Sequence, residues 1–255
     1  MNNKAETAKK GAARVRILGR PVDCLTRDAA LGKIMQAWRG KKFFHVVTAN
    51  AEMIYRSTHD DMLAKVIEEA ELVTADGIGV VLASRLLGRP APERVAGYDL
   101  MISCLEQASR QNIPVFFLGA RPEVLQKAVA AAVTRFPGLQ VAGSRDGYFL
   151  PGEEEEVASQ VSSRRPGLLL VAMGVPKQEK WISRFGDKLP PCVVMGVGGS
   201  FDVLSGKARR APAWVQKAGL EWLYRIVREP SRLKRAMDLP LFLLAVLAQF
   251  LKERR

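Results

Sequence analysis

GLLLVAMGVPKQEKWISRF, residues 167–185, followed by CVVMGVGG, residues 192–199, is the stretch that decides the fold. An apolar run of strand length ends at Gly174. A segment with Pro176 near its start and helix-type apolar spacing follows, and then a second apolar run. Both runs are apolar throughout rather than alternating, which predicts strands buried on both faces.

The same rhythm extends outward in both directions. FFHVVTA (43–49), ELVTA (71–75), IPVFFLGA (113–120) and LQVAGS (139–144) read as further strands. Helices are predicted over 51–70, 78–87, 98–110, 121–136, 153–164 and from Pro176 to Phe185, with acids opening the 153–164 helix where its dipole favours them. Strand–helix alternation predicts an α/β fold: a mostly parallel sheet with helices on both faces. After Phe201 the strand signal ends. The remainder reads as helices interrupted at Pro230 and Pro240. The expected organisation is a disordered lead over 1–13, an α/β core over 14–206 and a helical, basic appendage over 207–255. That core is expected to fold without the appendage.

Composition narrows the partners. The 255 residues are 48% hydrophobic and carry a formal charge of +13 with a pI near 10.0. An anionic partner is therefore expected: nucleic acid, acidic lipid or a phosphorylated small molecule. Residues 207–255 hold twelve Lys/Arg against four Asp/Glu, a net of +8. Cys24, Cys104 and Cys192 lack metal or redox spacing and read as reduced core thiols of a cytosolic protein. His45 and His59 form no ligand cluster. The start of the chain has no apolar core of a signal peptide. LPLFLLAVLAQFL (239–251) falls short of the roughly 18–20 residues that a span requires. Its basic flanks fit an interfacial helix, and a core-packed helix is the alternative.

In parallel α/β sheets ligands gather at the carboxyl ends of strands. Four polar clusters fall there: Thr48 to Glu52, Asp76 to Gly79, Val175 to Lys180, and Val197 to Asp202. Each has a plainer reading. Thr48 and Asn50 suit a helix cap, Asp76 suits the N-cap of the 78–87 helix, and Pro176 is ordinary helix-start chemistry. GVGGSFD offers backbone N–H groups unhindered by side chains, an arrangement that phosphates favour. It lacks the third glycine of a dinucleotide fingerprint, and no phosphate-loop or nucleophile-elbow motif occurs. No D-x-D pair occurs either, which points to neutralisation of a diphosphate by Arg, Lys and amides rather than by a metal.

TANAEM, ELVTADGIGVVLASRLLG, PERVAGYDLM, FFLGARPEV, VAMGVPKQEKWI, GVGGSFDVLSG and RAPAWVQKAGLEWLYRIVREPSRLKR together resemble the WecG/TagA/CpsF glycosyltransferases, collinearly over about residues 14–237. The resemblance implies a Rossmann-like fold of the type called GT-E. It also implies inverting transfer of a sugar, N-acetylmannosamine or its uronic acid, from a UDP donor to a polyprenyl-diphosphate-linked acceptor. No cofactor and no metal are expected. The enzyme is expected at the cytoplasmic membrane face, held on anionic lipid by its appendage, with self-association in soluble form and no nucleic-acid partner. A glucosyltransferase of exopolysaccharide assembly on this fold is the alternative. A non-catalytic basic module for lipid or nucleic acid is the rival from another class.

The resemblance makes Asp76 the general base, with Thr48, Arg94 and Gln178 as catalytic companions. Expected substrate-binding residues are Asn50, Gly77, Tyr148, Gly174, Lys177, Gly198, Gly199, Ser200, Phe201 and Asp202, together with Arg225, Arg232 and Arg235 from the appendage.

Overall fold

A computed structural model describes residues 14–150, 152–228 and 237–254, without the side chains of Lys217 and Arg225. Eight strands form one sheet: β1 (Arg14–Ile17), β2 (Arg20–Asp23), β3 (Phe44–Ala49), β4 (Leu72–Ala75), β5 (Val115–Gly119), β6 (Val141–Arg145), β7 (Leu168–Ala172) and β8 (Val193–Gly196). Their order is β1-β2-β4-β3-β8-β7-β5-β6, and every pair except β1/β2 is parallel. The α/β expectation is met: this is a Rossmann-like sheet covered on both faces.

The coverage follows from the period-2 geometry of the strands. Phe117, Leu168, Leu170, Val193 and Met195 point to one face, where α1 (Arg27–Gly40), α5 (Gly97–Arg110) and α6 (Pro122–Arg135) pack. Their neighbours Phe116, Leu118, Leu169, Val171 and Val194 point to the other, against α7 (Glu154–Ser163) and α8 (Lys177–Phe185). Further along that second face, Val47 and Val73 meet α2 (Ala51–Arg56), α3 (Asp61–Glu69) and α4 (Ile78–Leu86).

Three local readings are revised. The single helix expected over 51–70 is two, α2 and α3. The hydroxyls of Ser57 and Thr58 bond back to Ile54 O and Tyr55 O at 2.7 Å each, and Asp60 then caps α3 through Leu63 N at 3.0 Å. Such side chains compete with helix bonding and favour caps. Residues 14–40, which the sequence reading leaves without named elements, form the β1/β2 hairpin and α1. Pro240 does not interrupt a helix but lies in the first turn of the last described one, where no N–H is required of it. Pro230 and the 1–13 lead lie outside the described residues.

With α9 at Ser200–Leu204, the later helices are α10 (Ala213–Lys217), α11 (Glu221–Arg228) and α12 (Asp238–Glu253). The described parts of the segment are mainly helical, as expected, and α12 is docked rather than set apart. Phe242 (0% exposed) and Val246 (1%) enter the core beside Val15, Ile54 and Val80. Gln249 accepts from Leu18 N (2.7 Å) and donates to Arg16 O (2.9 Å), and Arg56 pairs with Asp238 at 2.8 Å. Burying two such apolar side chains contributes roughly 1.5–3 kcal/mol each. An α/β core cut free of this helix would therefore expose its own interior.

Candidate active site at the carboxyl ends of the strands

Parallel register places the polar strand ends side by side. Thr48 and Ala49 of β3 stand opposite Thr74 and Ala75 of β4, and Asp76 N–H donates to Ala49 O at 2.9 Å. Asp76 thus emerges beside Thr48 and Asn50, half-buried. Gly77, at φ 106°, turns the chain from strand to α4, a conformation that favours glycine. Gly77, not Asp76, occupies the N-cap position of α4, so the helix-cap reading of the acid does not hold. The loop from α4 returns to the same spot: Val95 N–H donates to Ala75 O at 2.9 Å, which brings Arg94 next to Asp76.

The neighbouring residues are tightly fitted. Thr48 Oγ1 lies 3.4 Å from Gly196 O of β8, and a Cβ on Gly97 would meet that hydroxyl oxygen at 2.9 Å. Asn50 does act as a cap, accepting from Met53 N at 2.8 Å. Its amide N–H2 is the group that remains for a ligand.

Gln178 joins the other two strand ends. Its Oε1 accepts from Gly174 N at 3.2 Å and from Gly198 N at 3.0 Å, so one buried amide ties the loop after β7 to the loop after β8. Gly174 and Gly198 are therefore structural partners of Gln178 rather than spare donors for phosphate. The Ser200 N–H is likewise engaged, with Val197 O at 3.0 Å. Gly199 caps α9. Phe201 is corrected outright: it is 0% exposed, packs on Phe117 with ring centroids 5.6 Å apart, and belongs to the core. Asp202 pairs with Lys207 at 3.4 Å.

A second polar group gathers at the ends of β5, β6 and β7. Lys177 Nζ donates to Gly147 O at 2.9 Å and lies 4.7 Å from the Phe149 ring centre. Tyr148, in the same loop, is exposed and neighbours Arg121, whose guanidinium is held above its ordinary value chiefly by this phenol.

The helices after residue 206 reach this end of the sheet. A Cβ on Gly219 would sit 2.9 Å from Ile78, so the turn between α10 and α11 rests on the residue after Gly77. Arg94 pairs with Glu221 of α11 at 2.7 Å, with both side chains mostly covered. Arg210 grips Asp99 through two bonds of 2.6 Å and lies over Tyr98. Arg225 is part of α11, although its side chain is outside the description. Arg232 and Arg235 lie outside the described residues.

Sequence reasoning missed Arg121, Glu179, Arg210 and Glu221. Arg121 follows β5 directly and satisfies the same strand-end criterion as the four clusters. Glu179 lies inside the Val175 to Lys180 cluster, but its burial appears only in three dimensions: it is 1% exposed, and burial pushes its carboxyl pKa up to about 7. The buried thiols of Cys104 and Cys192 are pushed up to about 12, as inert core groups are. Among the described residues no three His, Cys, Asp or Glu side chains group as metal ligands. An open depression of 440 Å³ lined by Ser159, Ser162, Ser163, Arg165 and Lys188 lies where α7 leads into β7, at the opposite end of the sheet from Asp76.

The doubly covered parallel sheet, with its polar groups converging where strands end, is the frame of a Rossmann-like glycosyltransferase. The chain belongs to the Glycosyl transferase WecG/TagA/CpsF family, which it matches over residues 15–255. It is similar to three proteins called N-acetylglucosaminyldiphosphoundecaprenol N-acetyl-beta-D-mannosaminyltransferase. That of Bacillus spizizenii (strain ATCC 23059 / NRRL B-14472 / W23) is 38% identical over 202 residues, covering 79% of this chain and 78% of the relative. That of Bacillus subtilis (strain 168) is 35% identical over 204 residues, covering 80% and 79%. That of Staphylococcus aureus (strain MW2) is 35% identical over 238 residues, covering 92% of each.

Proposed function

We propose that this chain transfers an N-acetylmannosamine-type sugar, with inversion and without metal, from a UDP donor to a polyprenyl-diphosphate-linked N-acetylglucosamine. The observation that carries the reading is the meeting of Asp76, Thr48, Asn50, Arg94 and Gln178 at the ends of the four adjacent strands β4-β3-β8-β7. The names of the relatives supply the sugar and the lipid-linked acceptor. The missing D-x-D pair and the basic helices supply the rest.

Inversion requires a base that takes the acceptor hydroxyl proton as its oxygen attacks the anomeric carbon. Asp76 is the carboxylate at the crossing of the strand ends, half-buried, with a glycine on its carboxyl side. The C–O bond to the diphosphate breaks as the new one forms, and charge grows on the leaving UDP. Arg94, Arg121 and Lys177 are the strand-end cations assigned to receive it, and guanidinium in particular binds phosphate with two bonds.

The acceptor's lipid also gives the last helix a role. Leu244 (64% exposed), Leu247 (47%) and Leu251 (62%) form an outward stripe on α12, opposite the buried Phe242 and Val246. No described helix is long and apolar enough to cross a membrane. An apolar stripe flanked by basic residues suits the boundary of an anionic bilayer.

The test is UDP release by the full chain with UDP-N-acetylmannosamine, UDP-N-acetylglucosamine and UDP-glucose, each with and without a lipid-diphosphate-linked N-acetylglucosamine. Release that requires both acceptor and the mannosamine donor is expected. Release with UDP-glucose alone among the donors would move the reading to a glucosyltransferase. No release, together with salt-sensitive binding to duplex nucleic acid, would remove it.

A further inference from the structure

The carboxyl group of Glu179 has no part in the chemistry above, yet it lies within the site's framework. It is 1% exposed in the first turn of α8. Its Oε1 accepts from Gln178 Nε2 at 2.7 Å, while its Oε2 is buried with no hydrogen-bond partner among the described residues. An unsatisfied buried polar atom lowers stability, so its presence asks for an explanation. The β8 backbone leaves room for this pair: a Cβ on Gly196 would stand 2.6 Å from Gln178 Nε2 and 3.1 Å from Glu179 Oε1.

A primary amide is nearly symmetric in shape but opposite in hydrogen-bonding sense at its two ends. Gln178 holds the two glycine loops only while its oxygen faces the N–H groups of Gly174 and Gly198. Turned over, its own N–H2 would face those two donors. The acceptor oxygen of Glu179 at the other end makes the productive orientation the lower one. That oxygen accepts whether the carboxyl group is ionised or carries its proton on Oε2.

We propose that Glu179 is a positioning residue for the transfer site: its Oε1 fixes the amide of Gln178, and through it the spacing of the loops after β7 and β8. The inference rests on reading Gln178 as part of the site that transfers the sugar. It assigns Glu179 no contact with substrate.

The amide N–H groups of Gly174 and Gly198 report the proposal without any turnover. In the wild-type chain both are expected to exchange slowly with deuterium, together with one side-chain N–H of Gln178. Fast exchange there overturns the proposal with no variant needed. Glu179→Leu, which removes the acceptor, is expected to speed exchange at both glycines and to lower kcat roughly 10–100-fold, the usual cost of losing an outer partner, with less change in KM. Glu179→Gln, which keeps an oxygen at Oε1, is expected to restore protection and most of kcat. The double variant with Gln178→Leu should be no slower than Gln178→Leu alone, because both act on one link. Multiplying losses, or a folded Glu179→Leu with wild-type exchange and kcat, would overturn it. If the wild-type chain releases no UDP, the functional reading fails while the exchange measurement still decides the role of Glu179.

Discussion

The strand ends of the sheet and the helices after residue 206 border the same site, but they are built by different rules. Thr48 stands on β3, Asp76 directly after β4 and Gln178 in the first turn of α8 after β7, each placed by strands held in parallel register. The helices are held by a few discrete links: Arg94 to Glu221, Arg210 to Asp99, Arg56 to Asp238, and Phe242 with Val246 in the core. They also leave Trp214, Trp222, Val227 and a row of leucines exposed. The contrast teaches a division of labour. On the proposed reading, groups that must be placed closely sit at strand ends, and groups that would meet the lipid-linked acceptor sit on helices retained by discrete links.

The largest expected effect separates the two halves most cleanly. Asp76→Asn should lower turnover roughly 10²–10⁴-fold, the usual range for removing a general base, while melting temperature and UDP affinity stay close to wild type. Near-normal turnover would take the reaction's base away from the strand ends. Phe242→Ala tests the other half. It empties a fully buried position between α12, α2 and α4 and should cost about 3–5 kcal/mol in chemical denaturation. A loss under about 1 kcal/mol would mean that α12 is a separable element after all.

The two regions also differ in how far sequence alone reveals them. The strands were legible because uninterrupted apolar runs such as Leu168–Ala172 have few other places in a fold, and polar residues at their ends stand out by contrast. Thr48, Asn50, Asp76 and Gln178 were found that way. Phe201 was misplaced because a short glycine turn hides which side of the sheet the next side chain enters. The helix break at 57–60 was hidden because Ser57 and Thr58 bond their own turn. The docking of α12 was illegible for a deeper reason. Its two apolar stripes are alike in sequence, and only the partner surface of α2 and α4 decides that Phe242 goes in and Leu244 stays out.

Glu179 offers a pH-dependent way to sharpen the contrast, because it belongs to the sheet half alone. Burial raises its carboxyl from 4.5 to about 7. The folded chain therefore holds this proton more tightly than the unfolded one. The contribution is fully present below pH 4.5 and is lost as pH rises to about 7, a change of about 3 kcal/mol at 1.36 kcal/mol per unit. Buried His45, lowered to about 4, acts with the opposite sign, since its stability falls as pH drops below 6.5. Comparing wild type with Glu179→Gln cancels the histidine. The difference in unfolding free energy should shift in favour of the variant between pH 4.5 and 7 and then level off. A flat difference across that window would show that the carboxyl group titrates normally.

The smallest effect lies on the link between the two halves. Arg94, one of the cations proposed to receive the donor's diphosphate, is bonded to Glu221 of α11 at 2.7 Å. Phosphate oxygens and the Glu221 carboxylate are alternative partners for the same guanidinium. Ion pairs of this kind are worth about 0.5–1 kcal/mol once solvent competes. Glu221→Gln should therefore tighten UDP binding by about two- to fivefold at low salt in calorimetry, with the gain shrinking as salt screens the charges. It should also loosen α11, seen as faster amide exchange over Glu221–Arg228. Weaker UDP binding in this variant would show that the Arg94–Glu221 pair stays closed around the donor, making α11 a fixed wall of the site rather than an element that yields to it.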